Sequence, residues 1–101
     1  IEQSKVSDCN SLVGNIKTAA NEYVSDNRYN STFVDSVSNN KVNITANDLI
    51  NNNYLTSPII NPFTKKEIKA NDISIEIVLN SNYTVESITI TKPNVLKKCK
   101  K

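Results

Sequence analysis

Few residues in this chain are equipped for chemistry, and their types decide much of what it can do. It holds no histidine. Ser-His-Asp triads, Cys–His pairs and HExxH zinc sites are therefore excluded. Gly14 is the only glycine, which rules out glycine-rich phosphate loops and dinucleotide fingerprints. The acidic residues are too scattered for a calcium loop. Glu76 and Glu86 are the one carboxylate pair to weigh for acid–base work. Both fall on the expected solvated face of a hairpin, with no aromatic platform beside them, so a plain surface role is the better reading. No cofactor or metal is expected, and the chain does not read as an enzyme.

Two cysteines, Cys9 and Cys99, stand near opposite ends. Their spacing excludes CxxC redox and zinc-ribbon patterns. A Cys9–Cys99 disulfide would close a loop of about 90 residues, worth ~4–5 kcal/mol on the chain-entropy model, and would imply an oxidising compartment. The alternative is a buried thiol at Cys9 that packs as a small hydrophobe. The net charge is +2, but the first fifty residues carry four basic against six acidic groups and the remainder eight against four. Lys92, Lys97, Lys98, Lys100 and Lys101 end the chain without an acid among them. That tail is either a contact for phosphate or an acidic surface, or a solvated end. It lacks the interleaved aromatics of a nucleic-acid site. Three Asn-x-Ser/Thr patterns, at Asn30, Asn43 and Asn82, are what chance gives a chain with 17 Asn.

The element that must position everything else is the first. Val6, Cys9, Val13, Ile16, Ala20 and Tyr23 follow one another at steps of three and four, a single stripe on a 3.6-residue period. Leu12, Ala19 and Val24 widen it. This predicts an amphipathic helix over residues 1–26, roughly 36–40 Å long. Such a rod exceeds what a small domain needs and starts without a cap residue, so the chain is expected to be a fragment of a longer helix. Residues 27–40 read as polar and turn-rich, with Phe33, Val34 and Val37 either forming one helical turn or pinning a loop. Thr45-Ala46-Asn47-Asp48 matches a capping box in its aspartate form and predicts a short helix over residues 46–53, ended by the Asn51–Asn53 run. Pro58 and Pro62 hold an apolar crossing, Tyr54 to Thr64, in extended geometry. Residues 65–72 read as a polar connection.

Ile73, Ile75, Ile77 and Leu79 alternate with polar partners, which is a strand with one buried face. A turn centred on Ser81 leads to a second strand, Tyr83 to Thr91. In that register Leu79 opposes Tyr83, Ile77 opposes Val85, and Glu76 faces Glu86. An extra residue near Glu86–Ser87 is then needed to keep Ile88 and Ile90 on the buried face, opposite Ile75 and Ile73. Two strands are marginal, so a third is expected from residues 94–100 or 41–45. The fold class is α+β: one domain spanning residues 1–101, with the long helix packed on a small antiparallel sheet.

The runs Ile44-Thr45-Ala46-Asn47-Asp48-Leu49-Ile50, Tyr54-Leu55 and Pro58-Ile59-Ile60-Asn61-Pro62-Phe63-Thr64 resemble bacterial type IV pilins, in particular those of clostridial-type Gram-positive organisms. The order of helix, connecting region, sheet and tail is similar as well. The resemblance implies a structural subunit of an extracellular, cell-surface pilus used in adhesion, surface motility or biofilm formation. It also admits a minor pilin or a pseudopilin of a secretion or DNA-uptake machine. A stand-alone binding module using the basic tail is the alternative from another class. The resemblance further implies self-assembly through the N-terminal helix, the pilus assembly machinery as partner, and membrane contact only through a segment upstream of Ile1. Host surfaces or extracellular DNA would be targets. Val6, Val13, Ile16, Ala20 and Tyr23 would form the helix-to-sheet seam. Leu49, Ile50, Pro58, Pro62 and Phe63 would anchor the connecting region. In many relatives a cysteine pair lies in the C-terminal region, whereas a Cys9–Cys99 bond would tie the tail to the helix.

Overall fold

In a computed structural model of the protein, residues 2–97 are described, with side chains described for residues 5–96. Helix α1 spans Glu2–Asn27, 26 residues, or about 39 Å at the α-helical rise. Its stripe is sealed from Cys9 onward. Cys9, Ile16 and Ala20 have no exposed surface, and Val13, Ala19 and Val24 are nearly as buried. Leu12 and Tyr23 pack against that core from the sides. Val6 departs from the expected seam, since it is 37% exposed. The reason is length. The longest strand, at eight residues, extends only about 27 Å, against about 39 Å for the 26 residues of α1.

A three-stranded antiparallel sheet faces α1, with residues 74–79 in the middle and residues 41–45 and 85–92 at its edges. Strands β4 (Ser74–Leu79) and β5 (Val85–Lys92) form the hairpin, and β1 (Lys41–Thr45) is the third strand. Ile73, Ile75, Ile77 and Leu79 are buried, joined from β1 by Val42 and Ile44 and from β5 by Ile90. Burying a side chain of this size stabilises by roughly 1.5–3 kcal/mol before ordering costs. α1 lies against β5 and also touches a short helix, α3 (Ala46–Asn51).

The hairpin register differs from the expected one by two residues at Leu79 and Ile75, and by one more at Ile77, where the extra residue falls closer to the turn than expected. Leu79 opposes Val85, Ile77 opposes Ile88, and Ile75 opposes Ile90. The turn explains the difference. A turn centred on Ser81 would leave only Asn80, Ser81 and Asn82 between the paired Leu79 and Tyr83, whereas five residues separate Leu79 from Val85. Instead Asn80 and Thr84 close a three-residue loop: Asn80 N–H donates to Thr84 O at 3.0 Å and Tyr83 N–H to Asn80 O at 2.9 Å. Asn80 Oδ1 accepts from the N–H groups of Asn82 and Thr84, and Tyr83 takes a left-handed φ of 63°, the usual third position of such loops. Because the slip is two residues, the buried face is unchanged. The expected extra residue is present: the ladder shifts between Val78 and Leu79, leaving Glu86 unpaired between Val85 and Ser87. A second shift leaves Thr91 between Ile90 and Lys92, with its hydroxyl 3.3 Å from the Ser74 carbonyl oxygen that accepts from it.

The segment between helix and sheet is more structured than a loop. α2 (Ser31–Ser36) is capped by Asn30, whose side chain accepts from the N–H groups of Thr32 and Phe33. Phe33 plugs it into the core at 4% exposure. α3 (Ala46–Asn51) carries the full capping box. The Asp48 carboxylate accepts from Thr45 N–H at 2.9 Å, and Asp48 N–H reaches Thr45 Oγ1 at 3.4 Å. Asn53, at φ 67°, turns the chain out of the helix. Residues 59–68, expected as a crossing and a polar connection, contain a small second sheet. There β2 (Ile59–Ile60) pairs with β3 (Glu67–Ile68), around a turn in which Asn61 Oδ1 accepts from Phe63 and Thr64 N–H. A 3₁₀ turn, Ala70–Asp72, leads into β4. Of the expected anchors, Leu49 and Pro62 are buried, and Ile50 and Phe63 are half-buried. Pro58 is exposed. Its neighbour Ile59, at 4% exposure, is the anchor instead, because alternation along β2 turns one side chain in and leaves those beside it out. α4 (Asn94–Lys97) closes the described chain, so residues 94–97 are helical and the third strand comes from residues 41–45.

Candidate functional site

The carboxylate pair can be settled first. The cross-strand neighbour of Glu76 is Thr89, not Glu86. Glu76 instead sits 3.9 Å from Lys41 Nζ, a surface pair of the kind worth ~0–1 kcal/mol. Glu86 is the unpaired bulge residue. The structure does not bring the two into one acid–base site. Among the described residues no group of three or more His, Cys, Asp or Glu side chains is placed to hold a metal ion. No helix there is long and apolar enough to cross a membrane.

Cys9 is fully buried and disulfide-bonded. Its expected partner, Cys99, lies outside the described residues. Cys9 Sγ also lies 3.9 Å from the Val95 carbonyl oxygen. A bonded sulfur has no proton to donate, so this is a packing contact that seats α4 against the upper part of α1. Of the basic tail, Lys98, Lys100 and Lys101 lie outside the described residues, as does the side chain of Lys97. Lys92 is exposed at the end of β5.

Two surfaces have definite geometry. One is the groove between α1 and the crossing that follows α3. It is lined by Asp8, Leu12, Asn15, Leu55, Pro58 and Ile60 and has a volume of about 330 Å³. Ile60 is 41% exposed there, with Leu12 and Leu55 half-buried beside it. The other surrounds the C-terminal end of α1. Tyr23 stands edge-on to both Phe33 and Tyr54, with ring centroids 5.8 Å apart in each pair, a favoured geometry for aromatic quadrupoles. The Tyr54 hydroxyl donates to Asp26 Oδ2 at 2.6 Å. That bond to a carboxylate raises the Tyr54 pKa above its ordinary 10.0, and burial adds to it. Burial, then the nearby Asp48 charge, raises that of Tyr23. Arg28, one residue past α1, donates to the Asn82 carbonyl at 3.0 Å and stacks 5.0 Å from the Tyr29 ring centre. It thereby ties the helix end to the tip of the β4–β5 hairpin.

The helix stripe pointed to Tyr23 as a seam residue but not to this aromatic cluster. Tyr54 and Phe33 reach it from elements far apart in sequence, so spacing alone carried no signal. Compared with known proteins, the chain matches no family model, no curated protein and no solved structure.

Proposed function

We propose that this chain is the globular, sheet-backed part of a structural subunit of an extracellular filament of the type IV pilin kind. The observation that carries the reading is the mismatch between rod and backing. The stripe of α1 is buried from Cys9 to Val24, while Val6 on the same stripe is 37% exposed. A helix longer than the sheet that backs it leaves part of its stripe open among the described residues, where a neighbour can pack. The shape agrees: the described chain is 45 Å long and 24 by 17 Å across, with α1 along its length. In a filament such subunits meet through heterologous contacts that propagate without closing. The groove holding Ile60 then offers an apolar flank to the adjoining subunit. A disulfide-bonded Cys9 suits an oxidising, extracytoplasmic setting.

Antibodies raised against the 101-residue chain and used for immunogold labelling of sheared surface material from the source cells test this. Label repeating along filaments is expected. Filaments that remain unlabelled, with the antigen confined to the cell interior, would overturn the proposal. Label at filament tips alone would mark a minor subunit.

A further inference from the structure

A cleft of about 260 Å³ opens where three helix ends meet, lined by Tyr23, Asn27, Asn30, Thr32, Phe33, Ser36 and Asn52. No charged side chain lines it. Its carboxamides come from the C-terminal residue of α1, the N-cap of α2 and the C-cap of α3. Each has one end tied to backbone. Asn27 Nδ2 donates to Tyr23 O at 2.8 Å and Asn52 Nδ2 to Asp48 O at 2.7 Å. Asn30 Oδ1 accepts from Thr32 N–H at 2.9 Å and Phe33 N–H at 3.3 Å. A carbonyl only accepts and a backbone N–H only donates, so these partners fix which end of each amide is tied. The untied ends are two acceptors, Asn27 Oδ1 and Asn52 Oδ1, and one two-proton donor, Asn30 Nδ2. Tyr23 adds an aromatic ring held in place by Phe33 and Tyr54.

We propose that this cleft binds an uncharged, polyhydroxylated ligand: one neutral sugar residue of a glycan. An anionic ligand would find no counter-ion in the lining, and the Asp48 charge near Tyr23 would oppose it. A purely apolar one would desolvate three amide ends without replacing their hydrogen bonds, at a cost for each. A sugar hydroxyl both donates and accepts, so adjacent hydroxyls satisfy a mixed array, while the C–H face of the ring packs on an aromatic side chain. The amides are held before the ligand arrives, which lowers the ordering cost of binding. The proposal concerns the isolated domain and does not rest on the filament reading, so either can fail alone.

Heteronuclear NMR titration of the 101-residue chain tests it, with methyl glucoside, methyl galactoside and methyl N-acetylglucosaminide as neutral probes and sodium glucuronate as the charged one. At least one neutral probe is expected to give saturable shifts centred on Tyr23, Asn27, Asn30 and Asn52, with a dissociation constant in the ~mM range. Glucuronate is expected to bind at least about fivefold more weakly, the worth of one unreplaced hydrogen bond. Asn30→Ser keeps a capping acceptor but removes the Nδ2 donor. It is expected to weaken binding about fivefold while leaving the circular dichroism spectrum unchanged. Absence of saturable shifts for every neutral probe, glucuronate binding as tightly as they do, or unchanged affinity in a folded Asn30→Ser chain would each overturn the assignment.

Discussion

Replacing Ile16 with alanine separates a sheet-backed rod from a helix that merely lies nearby. Ile16 has no exposed surface and sits mid-stripe on α1, where that helix lies against β5. Truncating a buried isoleucine to alanine costs about 2–5 kcal/mol, the transfer term plus the cavity left behind. With α1 packed on one side and the sheet on the other, neither layer can close the gap without disturbing its own hydrogen bonds. We therefore take about 3 kcal/mol. A chain of this size has roughly 5–15 kcal/mol of total stability, so about a fifth to three-fifths of it is lost. At about 4–8 °C per kcal/mol, the thermal midpoint should fall by roughly 12–24 °C. Val6→Ala is the control on the same stripe. Val6 is 37% exposed, and alanine's better helix propensity offsets the little packing lost, so the change should stay within about 0.5 kcal/mol. Urea unfolding followed by circular dichroism measures both, with the slope m checked for constancy. Equal costs for the two variants, or an Ile16→Ala cost under about 1 kcal/mol, would refute the seam as drawn.

Other outcomes follow from the same geometry. At α3 the Asp48–Thr45 N–H bond is shorter than its reciprocal, 2.9 against 3.4 Å, so Asp48→Ala should cost ~1 kcal/mol in urea unfolding and more than Thr45→Ser. Gly14 lies in the interior of α1, where an added Cβ would meet nothing within 4 Å; Gly14→Ala should raise stability by about 0.5–1 kcal/mol in the same assay. If Cys9 pairs with Cys99, non-reducing mass spectrometry should find no free thiol, and replacing both by serine should cost ~4–5 kcal/mol. Tyr23 and Tyr54 keep their protons to higher pH in the folded chain than their ordinary 10.0. The stability they contribute is therefore full below pH 10.0 and lost as pH rises through their folded values, which parallel alkaline titrations of tyrosinate absorbance and circular dichroism will show; Tyr54→Phe should shrink that loss.

Much of the fold was legible because it rests on local periodicity. The 3.6-residue spacing from Cys9 to Val24 marked α1, the alternation from Ile73 to Leu79 marked β4, and Thr45–Asp48 marked the start of α3. Even the Glu86 bulge could be read, since Val85 and Ile88 cannot share a face without an extra residue between them. The register could not, because it depends on how many residues the Asn80–Thr84 loop consumes, and that depends on Tyr83 accepting a left-handed backbone. β2 and β3, at two residues each, are too short to show any period. The exposure of Val6 is invisible to a helical wheel, which gives the face a residue occupies but not how far the opposing sheet extends. The cleft at the end of α1 was hidden for a similar reason. Asn52 read as part of the run that ends α3, and Asn27 and Asn30 as part of a polar, turn-rich stretch; only the packing of three helix ends brings them together.

Everything above depends on α1 and the sheet forming one cooperative core. Native-state hydrogen exchange measures that directly. The account predicts that backbone amides from Cys9 to Val24 and from Ile75 to Leu79 share the highest protection and respond together to added urea, with amides before Cys9 exchanging faster. Rapid exchange along the whole of α1 while β4 stays protected would contradict it.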